Sequence, residues 1–233
     1  MADVTTNLEL YLPLTSDTLS GSTFTDLSGN SRDGTSANVP TLENGPYGVP
    51  SGAMTFNGSS DQVTVGGTAL TPTYLSISAW VRSASNATTM QIATKDNGST
   101  QRSWQFRKDA TTGFIRLIVF PTGGGIRQFV GNVDCGNDTW HFVTAQWDGA
   151  AGSVSVDGII QGADSGAADT VKSSSATLYI GRTQDSGVER WSGAMAHVRA
   201  YSRALVLADI QQAMLDGSAP GNAMLLGLFD IPR

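Results

Sequence analysis

The sequence predicts an all-β sandwich or jelly roll that closes with one short helix. About a dozen short segments alternate apolar and polar residues at the spacing expected of such folds. Glycine is frequent, at 27 of 233 residues, and serine and threonine are abundant, which is typical of many tight turns between strands. A chain of this length fits one large β domain, because sandwiches often reach it undivided.

The clearest strand is the segment 75–82, in which apolar and polar positions alternate. The first strand alternates leucines from Leu8 to Leu14, and Pro13 marks it as an edge strand. Residues 16–50 are rich in turn-forming residues and are predicted to form one long loop. Further strands are predicted over 54–56, 63–65, 104–107, 114–120 and 178–181, with a hairpin over 140–148 and 153–157.

The end of the pattern is a strand that runs into an amphipathic helix, over residues 191–214. The helix is predicted to begin at Ser202 or Arg203 and to end at Gly217. Its apolar stripe is Leu205, Ile210 and Met214. We therefore predict one domain over residues 1–217 and an apolar C-terminal tail over 218–233.

Six segments, in this order along the chain, resemble laminin-G-like (LamG-like) domains of the concanavalin A-like lectin/glucanase superfamily. These segments are 26–34, 52–65, 75–82, 140–162, 178–182 and 191–214. The resemblance implies an antiparallel jelly-roll β-sandwich of two sheets with one short C-terminal helix. It also implies ligand binding by loops at an edge of the sandwich, often with Ca²⁺.

The resemblance also implies a candidate metal site. Asp26 and Asn30 lie at the positions of an early loop where family members often place Ca²⁺ ligands. The closing strand, however, carries Ala196 and His197 where the family usually has Asp and Glu. Losing a carboxylate weakens a site for an ion that needs six to eight oxygens. Ca²⁺ bound by Asp26 and Asn30 is one expectation, and a loop held by an Asx-type turn is the other.

Aromatic residues provide candidates for ligand binding, because sugars stack on flat apolar rings beside polar groups. Trp80 shares its strand face with serines and Arg82, and Trp104 begins another predicted strand. We take Trp80, Arg82 and Trp104 as candidate ligand-binding residues. The alternative for the tryptophans is packing in the core, where large aromatic side chains are common.

The sequence contains little that favours catalysis. A glycosidase needs two carboxyl groups about 5–9.5 Å apart, and no Glu-x-Asp or Glu-x-x-x-Glu motif is present. A pair of Asp residues from separate loops is the remaining enzymatic alternative. His141 and His197 are the two histidines, and we predict that His141 is a hydrogen-bonded core residue.

The charge and composition of the chain limit the kinds of molecule that it is expected to bind. The net charge is −6 and no basic cluster is present, which predicts no nucleic-acid partner. No apolar stretch approaches the roughly 18 residues of a membrane span. Cys135 is the single cysteine, which agrees with folding in a cytoplasm. The N-terminal residues lack the basic and apolar regions of a signal peptide, so we expect none in this sequence.

These observations predict a non-catalytic recognition or assembly module. We expect a glycan- or protein-binding component displayed on a larger assembly, such as a decoration or fibre protein of a phage particle, with secretion as the alternative location. A purely structural virion subunit and a glycoside-active enzyme are the alternative functions. The apolar tail 218–233 is expected to dock on a neighbouring subunit, giving a homo-oligomer or larger assembly, or else to fold back on its own domain.

Overall fold

The computed structural model describes residues 4–66, 70, 73–165, 169–184 and 189–216. Within these ranges the chain forms seventeen strands and one α-helix, with short 3-10 turns at Ser16–Thr18 and Pro46–Gly48. In chain order the strands are β1 Leu8–Leu12, β2 Leu19–Ser20, β3 Thr23–Phe24, β4 Gly34–Thr35, β5 Thr41–Glu43, β6 Ala53–Asn57, β7 Val63–Val65, β8 Leu75–Arg82, β9 Met90–Asp96, β10 Arg102–Lys108, β11 Ile115–Val119, β12 Arg127–Val130, β13 His141–Trp147, β14 Ala151–Val156, β15 Ile159–Ser165, β16 Leu178–Ile180 and β17 Ser192–Tyr201; helix α1 is Leu207–Leu215.

The strands form two antiparallel sheets that pack face to face. Sheet I has the order β15-β14-β13-β8-β17-β6-β5, and β1 pairs with β17 beside this path. Sheet II has the order β12-β11-β10-β9-β16-β7-β4-β3-β2. The predicted two-sheet sandwich with a single short helix is therefore confirmed for the described residues.

The main core lies between the two sheets and contains the residues that alternation placed there. Strand β8 is central in sheet I, with β13 on one side and β17 on the other. Its inward side chains belong to the same apolar core as those of β10 and β11 in sheet II. The residues predicted to be buried between the sheets are all buried: Leu75, Ile77, Ala79, Val81, Val143, Ala145 and Val198.

Helix α1 covers the outer face of sheet I and builds a second apolar cluster there. Ile210 and Ala213 of the helix pack with Trp80, Phe142 and Tyr201 of the sheet. The polar face of β8 is therefore buried too, and its serine side chains are fully covered. This outer layer explains how one strand can alternate in sequence and still be shielded on both sides.

Two elements differ from their predicted form. The predicted loop 16–50 contains the short strands β2–β5, which are two or three residues long and too polar to show an alternating apolar pattern. The helix begins at Leu207, because the chain is still extended at Val206. The Asp209 carboxylate accepts the Val206 N–H at 3.1 Å and so closes the first turn.

Among the described residues, no helix covers the outer face of sheet II. In the part of the chain that the structure describes, α1 is the single α-helix, and it packs on sheet I. It is too short and not apolar enough to cross a membrane. The predicted tail 218–233 lies outside the described residues, so its docking role stays a prediction.

Candidate functional site

The candidate metal loop is organised around the Asp26 carboxylate. Its Oδ1 atom accepts the backbone N–H groups of Tyr11 and Ser28, each at 2.9 Å. Its Oδ2 atom accepts the N–H of Arg32 at 2.9 Å and the hydroxyl of Ser28 at 2.7 Å. Burial alone would raise the pKa of this carboxyl, but the hydrogen bonds from Tyr11, Arg32 and Ser28 outweigh it and lower the pKa. Asp26 thus fastens the loop to β1.

The oxygens beside Asp26 are engaged by N–H donors. Asn30 Nδ2 donates to the carbonyl of Leu8 at 2.9 Å and to that of Glu9 at 3.2 Å. The Arg32 guanidinium contacts the same Glu9 carbonyl and lies 2.8 Å from the Glu9 carboxylate. A fixed cation therefore sits where Ca²⁺ would need free oxygen ligands. The residues present do not fit a Ca²⁺ site, and Asp26 forms the Asx-type turn that was the alternative.

We expect added Ca²⁺ and added chelator to leave the melting temperature unchanged, because an ion must bind the folded state to stabilise it. Asp26→Asn should lower the free energy of unfolding by about 1.5–3 kcal/mol, since it removes the charge from hydrogen bonds to three backbone amides. Differential scanning fluorimetry measures both. A rise in melting temperature with Ca²⁺ that is lost in Asp26→Asn would contradict this account.

Both candidate tryptophans are buried. Trp104 is 1% exposed between the sheets, and its indole N–H donates to the Leu70 carbonyl at 3.3 Å. Trp80 is 5% exposed beneath α1 and donates to the Met214 carbonyl at 3.3 Å. Its ring packs against Tyr47 and Phe142. Neither ring has a face for a ligand, so the expectation that they stack on sugars does not agree with the structure.

Arg82 lies at the end of β8 and, unlike the two tryptophans, is partly exposed. Its Nη2 atom is 2.8 Å from a Glu43 carboxylate oxygen, and its guanidinium lies over the Trp140 ring at 5.7 Å. It borders a cleft of about 330 Å³ that also includes Glu43 and Asp138. The three candidate ligand-binding residues are therefore not brought together in one site.

A stronger candidate is a cleft of about 330 Å³ on the outer face of sheet II, which we call the polar cleft. It exists because β10 points Trp104 and Phe106 into the core and Gln105 and Arg107 outward. Its floor is formed by Gln105, Ile118, Phe120 and Thr183, which are largely buried. Its rim is formed by Arg102, Arg107, Ile126, Gln128 and Glu189.

One end of the polar cleft combines apolar surface with a fixed arginine. The Arg102 guanidinium lies over the Phe120 ring, 4.1 Å from its centroid. The same guanidinium is held by Asp96, with Arg102 Nε 3.0 Å from each carboxylate oxygen. Gln105 Nε2 donates to Asp96 at 2.7 Å. Asp96 is 1% exposed, so a buried carboxylate orients two side chains of the cleft.

At the other end of the polar cleft, a second set of ion pairs holds the rim side chains. Arg107 Nε donates to Asp109 at 3.2 Å, and its Nη1 atom is 3.9 Å from a carboxylate oxygen of Glu189. Arg116 Nε donates to the other Asp109 oxygen at 2.7 Å. Glu189 in turn accepts Gln91 Nε2 at 2.6 Å. These contacts hold the rim side chains in place before any ligand arrives.

A buried hydroxyl group also lies on the floor of the polar cleft. The Thr183 side chain is 4% exposed, and its Oγ1 atom has no hydrogen-bond partner among the described residues. A buried polar group without a partner is costly, and a ligand or a water molecule can satisfy it. The polar cleft can therefore offer a small polar molecule both hydrogen bonds and apolar surface.

A family model described as the concanavalin A-like lectin/glucanases superfamily matches residues 57–211, which is more than half of the chain. The chain belongs to this superfamily. The predicted resemblance is thereby confirmed. No curated protein sequence matches this superfamily member.

Three solved structures share the superfamily member's fold. Domain 4 of AbnA, an extracellular GH43 arabinanase from Geobacillus stearothermophilus solved with arabinotriose, is 15% identical, with 89% of our chain and 98% of that domain aligned and a TM-score of 0.68. The binding domain of Paraclostridial Mosquitocidal Protein 1 is 12% identical over 92% of our chain and 53% of that chain, with a TM-score of 0.70. The botulinum neurotoxin serotype D ligand-binding domain, solved with N-acetylneuraminic acid, is 15% identical over 93% and 53%, with a TM-score of 0.69. Our chain thus spans about half the length of the two toxin domains, and all three likenesses establish the fold.

His141 of this superfamily member is hydrogen-bonded on both ring nitrogens. Its Nδ1 atom lies 2.8 Å from an Asp157 oxygen, and its Nε2 atom lies 2.9 Å from the Thr139 hydroxyl and 3.2 Å from Asn137 Oδ1. Thr139 also donates to Asn137 at 2.6 Å. These bonds close the loop before β13, and the predicted hydrogen-bonded histidine is confirmed.

The sequence pattern predicts the strands that carry the polar cleft but does not identify the cleft as a site. Segments 104–107 and 114–120 are predicted strands, and nothing in their pattern marks the outward Gln105, Arg107 and Arg116 as functional. The available signal was three polar or charged residues at alternate positions of two long adjacent strands. A solvated sheet face has the same signal, and the buried partner Asp96 that distinguishes the two comes from a third strand.

Proposed function

We propose that this protein is a non-catalytic glycan-binding module that uses the polar cleft. One observation carries the proposal: pre-oriented arginine and glutamine side chains surround Phe120, Ile126 and the unpartnered Thr183 hydroxyl on a sheet face that no described helix covers. Sugars present hydroxyl groups around apolar C–H faces, and pockets with a few fixed polar groups suit them. Similar domains solved with arabinotriose and with N-acetylneuraminic acid support a sugar ligand.

The test is a glycan array followed by calorimetric titration of the glycan that binds most strongly. Gln128→Ala removes an exposed rim side chain and Arg107→Ala removes a charged donor, so each should weaken binding about tenfold. Arg82→Ala is the control, because Arg82 is a partly exposed, ion-paired arginine outside the polar cleft. Equal affinity of all three variants, with unchanged folding by circular dichroism, would contradict the proposed site.

The absence of turnover is part of the proposal. Each carboxylate around the polar cleft, from Asp96, Asp109 and Glu189, contacts an arginine side chain and is thereby engaged in holding the rim. A glycosidase would instead direct two carboxyl groups at one glycosidic bond. We expect no release of reducing sugar when the glycans bound on the array are incubated with the protein.

We also propose that the protein is displayed on a larger assembly. Its support is the apolar composition of the segment 223–232 in the sequence, which favours contact with another surface. A phage decoration or fibre protein remains our suggested setting. A subunit without any ligand is the second candidate function, and an array on which no glycan binds would favour it.

A further inference from the structure

The charged side chains that line the polar cleft are Arg102, Arg107 and Glu189, and with their ion-pair partners they form a group with as many positive as negative members. Three arginines and three carboxylates approach one another there, and each carboxylate has an arginine nitrogen within 3.9 Å. The group consists of Arg102, Arg107, Arg116, Asp96, Asp109 and Glu189.

One carboxylate of this group is almost fully buried behind the cleft. Asp96 is 1% exposed and faces the Arg102 guanidinium with both carboxylate oxygens. Opposite charges at this distance cancel each other's field over the length of a sugar ring. An anionic group entering the cleft would lose its hydration and would meet the Glu189 carboxylate beside arginines that are already ion-paired, so its desolvation would not be compensated.

The polar cleft also contains donor and acceptor groups that can form hydrogen bonds with an uncharged ligand. Arg107 lines the cleft and contacts described residues through Nε and Nη1, and no described residue accepts a hydrogen bond from its Nη2 atom. The Gln128 amide is exposed at the rim, and the Thr183 hydroxyl is unpartnered among the described residues of the floor. Such groups match the alternating donor and acceptor character of sugar hydroxyls.

The charge of the whole chain acts in the same direction. Its net charge of −6 produces a field that repels anions at long range. We propose that the polar cleft selects uncharged glycans and discriminates against glycans that carry carboxylate or sulfate groups. This inference rests on the proposed function and names the ligand class of that site.

The test uses the whole protein on a glycan array in which each neutral oligosaccharide stands beside its sialylated and its sulfated derivative. Binding is measured at 50 mM and at 500 mM NaCl. The neutral glycans should bind more strongly than their derivatives, and their affinity should change less than about twofold with salt, since screening affects net charges and not neutral hydrogen bonds.

A charge variant makes the inference sharper. Glu189→Gln keeps the shape of the rim and leaves Arg107 with one carboxylate fewer, so binding of the acidic derivatives should rise about fivefold. Glu43→Gln changes the net charge by the same amount beside Arg82, outside the polar cleft, and should not increase it.

The outcomes separate the two proposals. Preferential, salt-sensitive binding of acidic glycans by the unmodified protein would overturn the selectivity and leave the glycan-binding function standing. An equal gain in Glu189→Gln and Glu43→Gln would overturn the role of the cleft charges. Failure of every glycan to bind would overturn both.

Discussion

Replacing Ile77 with alanine should lower the free energy of unfolding by about 2–5 kcal/mol, because it removes buried methyl groups and leaves a cavity. Ile77 is 1% exposed in the middle of β8, and its register partners are Ala145 and Ala200. These small neighbours have little side chain with which to fill the space. Ile77 is therefore the residue at which a single truncation tests the packing of both sheets.

Equilibrium unfolding in urea measures this effect as a lower midpoint at unchanged slope. Ile159→Ala is the matched control, since Ile159 is a strand isoleucine with 68% exposure. Its substitution should change the free energy of unfolding by less than about 0.5 kcal/mol. Equal losses for the two variants would show that Ile77 does not lie between the sheets.

Stability should fall as the pH drops from about 6.5 toward 3, in part because of His197. Burial and the nearby Arg199 charge lower the pKa of this imidazole to about 3. In the unfolded chain the ring takes up a proton near its ordinary pKa of 6.5, whereas in the folded protein it stays neutral. The stabilisation is complete above pH 6.5 and is lost progressively down to pH 3, an effect of about 2–4 kcal/mol.

The geometry around His197 explains why the neutral ring is needed. The Tyr11 hydroxyl lies 2.8 Å from Nδ1 and can donate to it when that nitrogen is unprotonated. A protonated ring would lose this acceptor and add a second positive charge beside Arg199. The residue also has a positive φ of 52°, which Asn adopts more readily than most residues.

His197→Asn is therefore the variant that keeps the backbone and an acceptor for Tyr11. Melting temperatures recorded from pH 7 to pH 3 should decline less steeply in His197→Asn than in the unmodified protein. The carboxylates, including Asp26 with its lowered pKa, contribute to both curves, because their stabilisation is lost as the pH falls below about 3.8. Parallel curves for the two proteins would refute the role of His197.

The sandwich could be predicted where local pattern and tertiary environment agree. The alternation over 75–82 reflects one strand with two distinct faces, and the hairpin over 140–157 appears as β13 paired with β14. The strands β2–β5 could not be predicted, because two or three residues are too few to show an alternating pattern and their pairing depends on the neighbouring strands. The sequence predicts a helix start at Ser202 or Arg203, whereas the helix begins at Leu207. Leu205 belongs to the apolar cluster beneath the helix but is not itself helical, so its burial does not mark the helix start.

The site was harder to predict than the fold. The alternation of apolar and polar residues predicts the correct strand face for Trp80. It does not reveal that α1 and Tyr47 cover this face. Asp26 was recognised by family position, yet its role depends on Arg32 and on the amide of Tyr11 in another strand. The polar cleft depends on pairings such as Arg107 with Glu189, which are far apart in the chain. Such contacts follow from the packing of strands and not from local spacing.

The most direct test of the central claim is an NMR titration that follows arginine side-chain Nε–Hε signals while the strongest-binding glycan is added. The account predicts shifts at Arg102, Arg107 and Arg116 around the polar cleft and none at Arg32, Arg82 or Arg199, which lie in the Asp26 loop, at the end of β8 and beneath α1. Shifts at Arg32 or Arg82 with the cleft arginines unchanged would contradict it.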